Sequence, residues 1–154
     1  MLVVPAFGEE MNKARRLVAD TGAALAAKGI RTIVPDLYGT GDSEGEFRDA
    51  TWSVWTEDLA CAARWALETG TERLDVLAVR LGAALFSDAA RRLPVAAGRA
   101  VVWQPVGGAD TLRQLLRMKN MAIRMAGGRA PAAEDALRDL LAGPEPTELG
   151  GYLV

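Results

Sequence analysis

Short apolar runs alternate along this chain with segments whose apolar residues recur at helical spacing, and that alternation limits the folds open to it. Leu2–Pro5, Ile30–Val34, Leu74–Val79 and Ala100–Trp103 have the length and composition of buried strands. Between the first two, Met11–Lys28 sets Met11, Ala14, Leu17, Val18, Thr21 and Leu25 on one helical face, with Gly29 as its stop. Thr51–Thr69 does the same with Trp52, Trp55, Leu59, Ala62 and Ala66, and Gly70 ends it. Leu81–Leu93 supplies a third helix. Strands that each lead into a crossover helix predict an α/β fold, a parallel sheet flanked by helices on both faces. Ligands of such folds collect at the carboxyl ends of the strands. Here those ends carry "PAFGEEMNK", "PDLYGTGDSEG" and "AVRLG".

The pattern changes after Pro105. Ala109–Met125 reads as a helix rich in Leu, Met and Arg, and residues 111–129 hold Arg113, Arg117, Lys119, Arg124 and Arg129 without one acid. "GGRAP" interrupts it, and Ala132–Leu141 forms a short acidic helix. The tail, "GPEPTELGGYLV", stops on apolar residues. No internal repeat is visible.

Composition narrows the chemistry. The chain has 154 residues, half of them apolar, enough for a real core. A net charge of −2 offers no electrostatic case for nucleic acid. One cysteine, Cys61, precludes an intrachain disulfide; with no signal peptide or membrane-length apolar run, this points to a cytoplasmic protein. Cys61 sits mid-helix among Ala60, Ala62 and Ala63 and is expected to be buried and inert. The four tryptophans, Trp52, Trp55, Trp65 and Trp103, are expected in the core. There is no histidine, so a mechanism that uses histidine as base or metal ligand cannot be completed by this chain alone. No cofactor or metal is expected. "GTGDSEG" lacks the G-x-G-x-x-G spacing and an ensuing helix, so Asp36, Asp42 and Ser43 are expected to order the loop.

Three motifs in order carry a resemblance. "DLYGTGDS", Asp36–Ser43, resembles the D-x-x-G-x-G-x-S loop that follows the fourth strand of α/β-hydrolases. "VPAFG", Val4–Gly8, stands where their oxyanion-hole loop follows strand three, and "AVRLG", Ala78–Gly82, where the G-x-S-x-G nucleophile elbow follows strand five. A narrower resemblance, on "VPAFGEEMNKARR", "PDLYGTGDSEGEF" and the W-x-x-W-x-x-D-L pattern from Trp52 to Leu59, is to the type 2 hydrolases associated with bacterial exosortase and exopolysaccharide systems. It implies a hydrolase acting on an ester, thioester or amide. It also implies that the four strands are the third to sixth of the hydrolase sheet, ordered four, three, five, six in space. Residues 1–106 would then be a partial hydrolase core, and 107–154 a helical cap segment and the start of the return to the core. On that reading the chain is a fragment lacking the first two and last two strands, with open sheet edges that invite association.

The elbow position holds Arg80 rather than serine. A guanidinium stays protonated, cannot act as nucleophile, and opposes the positive end of the following helix. Arg80 therefore needs an anion: Glu9, Glu10 or Asp42 from adjacent loops, or a ligand carboxylate or phosphate; Asn12 joins Glu9 and Glu10 in a polar mouth for the ligand or for Arg80. The backbone N–H groups of Phe7 and Leu81 match the donors of an oxyanion hole. Two functions follow: a hydrolase completed by residues outside this chain, or a non-catalytic scaffold that binds a small anion or a protein partner. A third is docking to an acidic partner or an anionic membrane through the basic helix Thr111–Met125.

Overall fold

A computed structural model of the chain describes residues 1–143, 148–149 and 152–153. The chain divides into two compact units, Met1–Val106 and Gly107–Val154. The first has β1 (Leu2–Val4), α1 (Glu9–Ala26), a 3-10 turn (Phe47–Asp49), α2 (Trp52–Glu68), β2 (Val76–Val79), α3 (Gly82–Ala89) and β3 (Ala100–Trp103). The second has α4 (Gly108–Met125), α5 (Ala133–Ala142) and a two-stranded antiparallel pair, β4 (Glu148–Leu149) and β5 (Tyr152–Leu153).

The first unit is α/β. Its sheet is open and parallel, in the order β1-β2-β3, with Val3 opposite Leu77 and Leu77 opposite Val101. Alternation along the strands sorts the core into two layers. Leu2, Val4, Val76 and Ala78 face Leu59, Ala63 and Ala66 of α2 and Leu85 and Ala89 of α3. Val3, Leu77 and Val79 point to the other face, where Val18 of α1 packs against them. The two faces are unequal, because α1 buries no residue fully and leaves Leu17 exposed.

Four expectations are corrected by this packing. Ile30–Val34 is not a full strand: it pairs with β1 at Ile33 alone, through Val3 N–H to Ile33 O and Ile33 N–H to Met1 O, 2.8 and 2.9 Å. Ile30 and Val34 lie exposed beyond it, and Pro35 has no N–H to extend the ladder. Cys61 is exposed, because Leu59, Ala60, Ala63 and Ala66 take the inward face of α2 and a cysteine one position after Ala60 is rotated away. Of the tryptophans only Trp55 is buried. Trp52 and Trp65 remain at the surface, where Trp52 Nε1–H donates to Asp88 and the Arg31 guanidinium lies over the Trp65 ring. Trp103 is exposed on the edge strand β3, all four of whose residues are exposed. Finally, α3 ends at Ala89, short of Leu93.

The second unit is a helical hairpin. Leu116 of α4 and Leu137 of α5 are buried against each other, with Leu112, Leu115, Ala133, Ala136 and Leu140 around them. Arg113 is held by Asp110 on its own helix and Glu134 on α5, at 2.7 and 3.0 Å. No helix among the described residues is long and apolar enough to cross a membrane.

Candidate functional site

The site forms where β1 and β2 end side by side. β2 stops at Val79, and Arg80 turns the chain with a φ of 55°, a left-handed conformation that a side chain with a Cβ rarely adopts. The Arg80 N–H still reaches back to the sheet, donating to Trp103 O at 2.9 Å. Helix α3 begins at once, with Leu81 at its N-cap. Gly82 makes the turn fit. A Cβ there would stand 2.4 Å from Pro5 O and 2.7 Å from Val4 O, so any other residue would push α3 away from the end of β1. A tight strand-turn-helix, with a strained residue at its tip, is thus built by local chemistry and by the close approach of the β1 loop.

Arg80 points back across that loop to α1. Its Nε and Nη2 both donate to one carboxylate oxygen of Glu10, at 3.1 and 2.7 Å. Nη1 donates to Gln104 O at 3.4 Å. Both side chains of the pair are a little over a quarter exposed (28% and 29%), so the interaction is partly shielded from water. The hydrogen bonds that Arg80 donates to Glu10 hold the guanidinium above its already high pKa, against burial, which acts to lower it. Arg80 therefore carries its charge throughout the working pH range, and Glu10 offsets it.

The remaining sequence-derived candidates separate around this pair. Glu9 and Asn12 lie exposed on the first turn of α1. Asp42 is exposed in the glycine-rich loop, where its backbone N–H donates to Asp36 at 3.1 Å. Phe7 stacks on Trp55 with ring centroids 4.6 Å apart, and Trp52 flanks it at 6.2 Å. Among the described residues, the backbone N–H groups of Phe7 and Leu81 donate no hydrogen bond. Ser43, Ser53 and Ser87 have no histidine to activate them. Among the described residues, no group of three or more His, Cys, Asp or Glu side chains is placed to hold a metal ion.

The glycine-rich loop is held from α2. Trp55 Nε1–H donates to Tyr38 O at 3.0 Å, and the Asp58 carboxylate accepts from Tyr38 N–H at 2.8 Å. One helix face thus grips both backbone polar groups of a single loop residue. Inside the loop, Thr40 Oγ1 donates to Leu37 O. The approach at Gly41 (φ 56°) is so close that a Cβ would collide with the Asp36 carboxylate. These contacts account for the pairing of "DLYGTGDS" with the W-x-x-W-x-x-D-L pattern.

Sequence reasoning missed Gln104, whose φ of 45° and position before Pro105 leave its carbonyl facing Arg80. It also missed Trp55 and Asp58 as loop clamps; their i,i+3 spacing was the available signal. A groove of about 470 Å³ lies in the second unit, lined by Arg117, Asn120, Met121, Arg124, Met125 and Ala133. Comparison with protein-family models and with curated proteins finds no match.

Proposed function

We propose that this chain is an α/β-hydrolase-fold protein of the kind that accompanies exosortase and exopolysaccharide systems, and that its elbow serves as a non-catalytic scaffold. The reading rests on the motif order described above and on one observation that carries it. The nucleophile position holds an arginine, bonded at once to Glu10 and to Gln104 O. A guanidinium cannot attack an acyl carbon. One already neutralised by a carboxylate is also a poor trap for a free anion, which would have to displace Glu10. The function left to this end of the sheet is to bind a partner, not to cleave a bond.

A second reading has its own support. The Phe7 and Leu81 N–H groups donate no hydrogen bond among the described residues, as the donors of an oxyanion hole would before substrate arrives. A hydrolase of esters, thioesters or amides, with nucleophile and base supplied from outside this chain, would use them. Fluorophosphonate labelling and turnover of p-nitrophenyl esters separate the two. We expect no serine to be labelled and no turnover above the buffer rate. A labelled serine with turnover would overturn the scaffold reading.

A further inference from the structure

We infer that the groove on α4 and α5 is a binding site for a single-chain anionic amphiphile, a phosphate or carboxylate head on an apolar tail. The inference is independent of the elbow and stands or falls by itself.

The charge is the first ground. Arg117 and Arg124 both line the groove, seven residues apart on one face of α4, about 10 Å of helix rise. Arg113, the other arginine facing α5, is neutralised by Asp110 and Glu134. Arg117 and Arg124 have no hydrogen-bonding or ion-pairing partner among the described residues. No acid occurs between residues 111 and 129, and Asp110, the acid on this helix, is engaged by Arg113. Two free guanidiniums in one concavity complement a single anionic head.

The wall is the second ground. Met121 lies between the two arginines along the helix, and Met125 follows one turn on; they are 64% and 80% exposed. Thioether side chains are flexible and polarizable and reshape around an apolar chain. Ala133 adds a small apolar residue from α5. Asn120, buried at 7% exposure, is fixed by donating to Pro131 O at 2.9 Å, which ties α4 to the segment before α5 and gives the groove a rigid edge. The volume falls within the roughly 300–1,000 Å³ of small-ligand sites. A free phosphate would leave the methionine wall in water; an uncharged chain would leave the arginines unused.

The methionines also provide the readout. The chain has five, Met1, Met11, Met118, Met121 and Met125, and the first two belong to the other unit. The full chain, labelled at the methionine methyls, would be titrated by NMR with dodecyl phosphate below its micelle threshold. We expect saturable shifts at Met121 and Met125 and none at Met1 or Met11. Inorganic phosphate should produce no such shifts. Arg117→Ala/Arg124→Ala should weaken binding about tenfold or more with the other spectra unchanged. Met121→Glu, which keeps both arginines, should weaken it as well. Equal shifts at all five methionines, unchanged affinity in either variant, or equally tight inorganic phosphate would overturn the assignment. So would a response to anionic vesicles without one to the monomeric amphiphile, which would mean surface adsorption instead.

Discussion

Arg80 pays for its position in backbone strain. A left-handed φ at a residue with a Cβ costs about 1–2 kcal/mol relative to glycine. The partly shielded ion pair with Glu10 returns about 1 kcal/mol. Substitutions can separate the two terms. Arg80→Ala keeps the strain and loses the pair, so chemical denaturation should show about 1 kcal/mol less stability. Arg80→Gly loses the pair but relieves the strain, and should fall within about 0.5 kcal/mol of the parent. If the two variants are equally stable, the turn is not strained in the way its φ of 55° implies. A double-mutant cycle with Glu10→Gln should return a coupling of about 0.5–1 kcal/mol; additivity would mean that the pair does not form in solution.

Among the elements, α2 does the most to organise the site. Its inward face supplies Leu59, Ala63 and Ala66 to the core. Its first two turns supply Trp55, which stacks on Phe7 and holds Tyr38 O, and Asp58, which holds Tyr38 N–H. The glycine-rich loop is thereby coupled to the packing of α2. Removing the carboxylate leaves Tyr38 N–H without its partner, at a cost of about 1–3 kcal/mol for a part-buried, charge-assisted bond. Asp58→Ala should therefore lower stability by that amount and speed hydrogen exchange across 38–45, while β1 and β2 keep their protection. Uniform loss of protection would show that the contact supports the whole unit and not the loop. The start of α2 is fixed separately, by the Thr51 hydroxyl accepting from Val54 N–H at 3.2 Å.

At the scale of the molecule, the sheet of the first unit ends on an uncovered strand. β3 is last in the order, all four of its residues are exposed, and Val101 and Val102 are 52% and 47% open to solvent. Arg99 O and Trp103 O face β2, so the alternating groups of Ala100 and Val102 face the free edge. Such an edge pairs with another strand if one is offered. Light scattering should show concentration-dependent association of the chain, and Val101→Lys/Val102→Lys should reduce it with little change in secondary structure. Association that persists unchanged in this variant would locate the sticky surface elsewhere.

Much of the architecture was legible in the order of residues. Composition and periodicity give β3 its exact bounds and place α1, α2, α4 and α5 within two residues at each end, since helical spacing and terminal glycines act over a single turn of chain. The loop glycines and the turn at Arg80 were visible for the same reason. Which face would be inside was less legible: Cys61 and three tryptophans lie at the surface because a helix fills only the stripe its neighbours offer. Ile30–Val34 has strand composition, but pairing needs a partner on at least one side along its length, and the fold provides it at Ile33 alone. Of the acids weighed as partners for Arg80, only the packed structure selects Glu10, seventy positions away along the chain. Local sequence determined the elements and the unusual residue at the turn between β2 and α3, because those depend on interactions between near neighbours. Tertiary structure decided what that residue touches, because α1, β2 and the end of β3 meet only when the sheet has assembled.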